Sequence, residues 1–156
     1  MKNSLQEQRA VLNQIEKKQE ELYHRFASRL GISDTMFWIL YCLCESDEIY
    51  TQNSLAEELC IPKQTVNSAV NNLVKEDYVR LEQMASARNS KAIHLTEKGT
   101  AFCQDTIIHV INAELRAFLQ LTDSERQTFI TLLQKQHLFF KEEISGLLAV
   151  KRGDTE

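Results

Sequence analysis

Across 156 residues the chain holds one proline, Pro62, and four glycines. With so few residues that break a helix or permit a left-handed turn, long helices must carry most of the fold. No apolar run approaches membrane length. The longest, Met36 to Cys44, has nine residues, against the ~20 that a spanning helix needs. The opening stretch MKNSLQEQRAVLNQIEKKQEELYHRF is polar and charged, without the apolar segment of a signal peptide. A soluble, cytoplasmic protein is expected, with no membrane partner. The four cysteines, Cys42, Cys44, Cys60 and Cys103, follow no disulfide-framework spacing. Cys42 and Cys44 lie two apart in a helical pattern, roughly 200° around the axis from each other, so they cannot jointly grip a metal. They read as small apolar filler. Nor is there an excess of positive charge, the formal net charge being −4.

What is present is a chain of ordinary globular balance, 43% hydrophobic and 26% charged, which excludes disorder. One domain over 1–150 is expected, with 151–156 as a frayed tail. Leu5, Leu12 and Phe26 share one heptad position, with Gln19 its polar member, and Ile15 and Leu22 share the other. They make one long amphipathic helix whose stripe calls for a cover, and a second subunit suits it. Gly31 ends that helix, and Ser33 caps another over Asp34 to about Glu45, apolar all the way round. Thr51 caps a short helix from Gln52 to about Cys60. Ile61-Pro62 turns the chain into a helix from Lys63 to about Glu76.

Tyr78 to Glu82 alternates as a strand, and Ile93 to Leu95 reads as its return, with a polar tip between. Thr96 opens a helix running to about Gln120. Thr122-Asp-Ser-Glu125 is a capping box for a last helix carrying Phe129, Ile130, Leu133, Phe140, Ile144 and Leu147.

The helix at Lys63 divides into two faces. Val66, Ala69, Val70 and Leu73 follow the i, i+3, i+4, i+7 rule and pack inward. Gln64, Asn67, Ser68 and Asn71 follow it on the opposite side. Two short helices, a tight turn and a following hairpin make a winged helix-turn-helix. The fold class is therefore mainly α with a small β-hairpin wing. The outward set suits a nucleic-acid groove: Asn and Gln present donor and acceptor together, matching the N6/N7 edge of adenine, and hydroxyls serve base or phosphate. Lys63 is placed for phosphate, and no acid occurs between Glu58 and Glu76. From Pro62 to Lys91 there are five cations against three acids, so this window is net +2 and the rest of the chain −6. A merely solvated face would favour Glu and Lys. This one carries poorer helix formers instead, which points to contact.

The stretch TQNSLAEELCIPKQTVNSAVNNLVKEDYV, Thr51 to Val79, and the close IHLTEKG, Ile93 to Gly99, resemble the MarR family of multiple-antibiotic-resistance regulators. The resemblance extends over nearly the whole chain. It implies a dimer knitted by helices within 1–30 and 96–150, with a winged helix-turn-helix over 34–95 at each lower corner. It implies that Gln64, Thr65, Asn67, Ser68, Asn71 and Asn72, with Lys63 at the entrance, meet the major groove. Most members are repressors that lose DNA affinity when a small molecule or oxidant binds. Members usually carry Asp-x-Arg at the wing, where this chain has Ala87, Arg88 and Asn89. Arg88, one place off, stands in for the usual Arg, and Asn89, Ser90 and Lys91 complete the wing set. Ser68 stands where members carry an Arg on the recognition helix. The first helix lacks the Cys of redox-sensing members. His24, His94, His109 and His137 are isolated, unlike the clusters of zinc sensors.

The expectation is a homodimeric transcription regulator, a ligand-responsive repressor, binding duplex DNA at a pseudo-palindromic, A·T-rich operator. It needs no cofactor or metal and is not an enzyme: there is no phosphate loop, ligand cluster or nucleophile–base pair. An apolar effector would lodge near Met36, Phe37, Trp38 and Tyr41, though core packing explains those residues equally well. The alternative is a winged-helix module that binds protein, but Gln64 to Asn72 offers no aromatic or Arg anchor.

Overall fold

In the computed structural model, which describes residues 4–85 and 90–150, the chain is mainly helical with one two-stranded antiparallel hairpin. It divides into two compact units, one ending at Ile111 and the other beginning at Asn112. No described helix is long and apolar enough to cross a membrane.

The first unit opens on α1 (Leu5–Leu30), started by a capping box that the residue pattern alone did not call out. The Ser4 hydroxyl accepts from the Glu7 amide, and the Glu7 carboxylate accepts from the Ser4 amide. Gly31 ends α1 at φ 72°, a left-handed conformation that glycine adopts without Cβ strain. Ser33 caps α2 (Asp34–Glu45) by accepting from the Met36 amide at 3.2 Å. Both the Gly31 stop and the Ser33 cap are local chemistry, which is why the sequence foretold them.

Helix α2 is the axis of the core, with Met36, Phe37, Ile39, Leu40 and Cys42 buried. Packed with it are Leu55 and Ala56 of α3 (Gln52–Glu58) and the inner face of α4 (Lys63–Lys75). Helix α3 stops at Glu58 rather than Cys60. Cys60 takes φ 52°, and the Ile61 amide reaches back to the Ala56 carbonyl. This left-handed residue makes the tight turn into α4.

The hairpin pairs β1 (Val79–Gln83) with β2 (Lys91–Leu95), Val79 opposite Leu95 and Gln83 opposite Lys91. Both strands are displaced from the expected bounds, β1 by one residue and β2 by two at its start. Tyr50, ahead of α3, adds a bridge to Ile93, whose amide donates to the Tyr50 carbonyl at 2.8 Å. This pairing fastens the hairpin to the helical core.

The expected single helix from Thr96 to about Gln120 is instead two, α5 (Glu97–Asp105) and α6 (Ile107–Phe118). The break is at Thr106, with φ −135° and ψ −73°, whose hydroxyl donates to the Phe102 carbonyl at 2.6 Å. A hydroxyl that bonds its own preceding turn competes with the helix ladder and bends it. Ile107, directly after, is fully buried.

The second unit contains the end of α6 and the whole of α7 (Asp123–Val150). The Thr122–Glu125 capping box is formed: Glu125 accepts from the Thr122 amide and hydroxyl, both at 2.8 Å, and the Thr122 hydroxyl accepts from the Glu125 amide. Phe129, Ile130, Leu133, Phe140, Ile144 and Leu147 of α7 are exposed, as are Leu5, Leu12, Ile15 and Leu22 of α1. The expected frayed tail, 151–156, lies outside the described residues.

Candidate nucleic-acid interface

Helix α4 sorts its side chains as its period dictates. Val66, Val70 and Leu73 have no accessible surface and Ala69 has 5%. Lys63, Gln64, Thr65, Asn67, Ser68, Asn71 and Asn72 are all exposed. Four apolar anchors fix the helix about its own axis, so the seven polar side chains project outward together. Pro62 precedes the first turn and has no side chain with which to cap it. Orphan amides at such an end suit an anion, and Lys63 stands beside them.

The face is not made by α4 alone. Ser33 and Thr35, at the start of α2, join Pro62, Gln64, Thr65, Ser68 and Asn72 around an open hollow of about 590 Å³. Sequence reasoning missed both hydroxyl residues, since nothing local to positions 33–35 indicates that α2 begins against this side of α4.

On the wing, Arg80 donates to Glu82 at 2.6 Å, and His94 Nε2 lies 3.8 Å from the same carboxylate. The Arg80 hydrogen bond, with its charge, holds the Glu82 carboxyl below the usual carboxylate value. The Arg80 charge is thus matched on the strand. Gln83 and Met84 both donate to the Ser90 carbonyl, at 3.2 Å each, and Lys91 opens β2 with an exposed side chain. Ser90 and Lys91 therefore sit at the hairpin's return, whereas Arg88 and Asn89 lie outside the described residues.

The aromatic residues named as an effector site are gathered in a cluster of tilted and edge-to-face rings. Trp38 lies 4.7 Å from Tyr23, 5.1 Å from Phe37 and 5.3 Å from Tyr41, ring centre to ring centre. Tyr23 and Phe26 of α1 belong to the same group and were absent from the sequence-derived set. Phe37 is completely enclosed and Met36 nearly so, while Trp38 and Tyr41 are half-buried.

Two histidines that stand apart in sequence have carboxylate neighbours in space: His24 Nδ1 lies 3.0 Å from Asp34, and His94 faces Glu82. The cysteines differ among themselves. Burial pushes the Cys42 thiol up to about 11. The Cys103 thiol donates to the Cys44 sulfur, which lowers Cys44 and raises Cys103. Cys60 is exposed at the turn before α4.

Residues 30–88 match the model of the MarR family. No curated protein matches the chain. Among solved structures, the MepR–DNA complex of S. aureus is 19% identical, covering 84% of this chain and 96% of that one, with a TM-score of 0.68. NMB1585, a MarR family regulator from Neisseria meningitidis, is 19% identical over 92% of this chain and 98% of its own, at TM-score 0.72. A MarR protein from Peptoclostridium difficile is 21% identical, covering 92% and 93%, at TM-score 0.68. At these identities the structures establish a shared winged-helix fold. The matched segment carries α2, α3 and the amide-rich face of α4, and over that segment the chain is similar to the MarR family.

Proposed function

We propose that this chain is a transcription regulator that binds duplex DNA sequence-specifically as a homodimer, laying α4 in the major groove. One observation carries the reading: α4 buries four apolar side chains and exposes eight polar ones, none acidic. The paired amides of Gln64, Asn67, Asn71 and Asn72 favour adenine edges, hence A·T-rich half-sites. Lys63 and the uncapped first turn of α4 take phosphate, and the wing residues Arg88, Asn89, Ser90 and Lys91 flank the groove contact. A solved relative in fold, MepR, is bound to DNA, which supports the same use of this helix-turn-helix.

In this reading residues 34–95 read DNA, and helices within 1–30 and 96–150 join two copies. The exposed apolar residues of α1 and α7 support the second role. Two recognition helices about one DNA turn apart, ~34 Å, require a pseudo-palindrome with half-sites ~10 bp apart. The action is repression relieved by a small molecule, with the cluster of Met36, Phe37, Trp38 and Tyr41 as the place where an apolar effector acts.

Selection of bound sites from random duplexes at physiological salt tests this directly. A symmetric, A·T-rich consensus is expected. Indifference to duplex DNA even in dilute salt would remove the reading, and a winged-helix module for protein partners would take its place.

A further inference from the structure

The end of α4 is tied to the start of α5 by a set of bonds that the groove contacts do not use. The last turn exits through Asp77, which holds φ 60°, and three successive carbonyls there are engaged by residues from 96 to 98. The Lys98 ammonium donates to the Glu76 carbonyl at 2.6 Å and lies 4.8 Å over the Tyr78 ring. The Thr96 hydroxyl donates to the Asp77 carbonyl at 2.5 Å, and the Thr96 amide to the Tyr78 carbonyl at 3.1 Å. The same hydroxyl caps α5 by accepting from the Gly99 amide at 2.9 Å. Gly99 is buried against this strap: a Cβ there would lie 2.8 Å from the Tyr78 carbonyl carbon and closer still to its oxygen. Helix α4 is thus held along its length by apolar packing and at its exit by hydrogen bonds.

From this geometry we infer that Thr96, Lys98 and Gly99 form a latch that sets the pose of the recognition helix, making them positioning residues for sequence-specific DNA binding. The inference rests on the functional reading above. Side-chain amides discriminate between bases only when held at hydrogen-bond distance and angle. Attraction of Lys63 to phosphate tolerates a looser pose, because it is a point charge acting over a Debye length. Loosening the exit of α4 therefore lowers affinity for the chosen site while leaving affinity for random duplex in place. The Lys98 ammonium, turned onto a carbonyl, contributes to helix pose and not to counterion release.

The test compares Thr96→Val, Thr96→Ser and Lys98→Met in the full chain, well below each variant's Tm, on the selected operator and on random duplex. Thr96→Val removes a net hydrogen bond at two places, so operator affinity should fall about tenfold. Random-duplex affinity and the salt slope should not move, and Thr96→Ser, which keeps the hydroxyl, should restore the operator affinity. Lys98→Met should lower operator affinity about fivefold with no change in salt slope. In the free protein, the Asp77 and Tyr78 amides should exchange faster in Thr96→Val. A lowered Tm with an unchanged operator-to-random ratio in both variants would overturn the latch, as would unchanged exchange at those amides. If the wild-type chain selects no sequence at all, the functional reading falls instead, and the exchange measurement still decides whether the tie exists.

Discussion

Asn67 and Asn71 lie one turn apart on the exposed face of α4, close enough to read neighbouring bases. Replacing either by Ala should relax preference at one position of each half-site, by ~1–3 kcal/mol for each bidentate amide–base pairing removed. Lys63→Ala should weaken all duplexes alike and reduce the salt slope by about 1. Competition binding against base-substituted duplexes at two salt concentrations separates the outcomes; Asn variants that kept wild-type discrimination would show that α4 is not the reader. A second residue-scale contrast lies in the thiols. Cys60 is exposed, whereas Cys42 and Cys103 are buried and both have raised values. For Cys42, at about 11, on the order of one thiol in a thousand is ionised at pH 8. Maleimide labelling of the native chain at that pH should go first to Cys60 and be abolished in its fast phase by Cys60→Ser. Mass-mapped labelling that began at Cys42 would contradict its burial. Individual residues were legible where the governing bond is local, as at Ser33 and Thr122. The Cys44–Cys103 hydrogen bond joins residues 59 positions apart, and spacing alone could not reveal it.

Among the elements, α4 was legible in full, because apolar and amide residues separate cleanly at a period of 3.6 and nothing in the tertiary structure opposes that separation. The α5–α6 pair was not. The break falls at Thr106, whose hydroxyl donates to the Phe102 carbonyl, with Ile107 drawn into the core, and no residue pattern along the chain marks it. The wing was half legible: strand alternation located it, but the Tyr50–Ile93 bridge that holds it depends on a chain segment more than forty residues earlier. Helix α7 allows a pH prediction. The Thr122 amide, then its hydroxyl, holds the Glu125 carboxyl below its ordinary value. A depressed carboxylate stabilises the folded state above its unfolded pKa, and the effect is lost as pH falls through the lower folded value. The start of α7 should therefore loosen from the ordinary carboxylate range downward, seen as falling protection of the Thr122 and Glu125 amides. Glu125→Gln keeps a capping side chain that does not titrate, so its protection should be flat across the same interval; an equal loss in that variant would assign the effect elsewhere.

At the scale of the whole molecule, the exposed apolar residues of α1 offer a test of the proposed homodimer. Ile15 is 56% and Leu22 65% exposed, on a helix with the stripe of a paired one. The double substitution Ile15→Glu and Leu22→Glu places charge in that stripe, and sedimentation should show a shift from dimer to monomer at micromolar concentration. Loss of operator binding should follow, since a single α4 reads only one half-site. A wild-type chain that already sediments as a monomer would remove the homodimer from the proposed function. By itself the sequence determined the order of elements as far as the hairpin, the caps at Ser33, Thr51, Thr96 and Thr122, and the two faces of α4, because periodicity and capping act over four residues or fewer. Only the tertiary structure decided that Ser33 and Thr35 join the face of α4, that Tyr50 anchors the hairpin, and that Lys98 grips the Glu76 carbonyl. Those contacts close distances of some twenty to forty residues, and which pairs meet across such spans is set by how the helices pack, not by any neighbour along the chain.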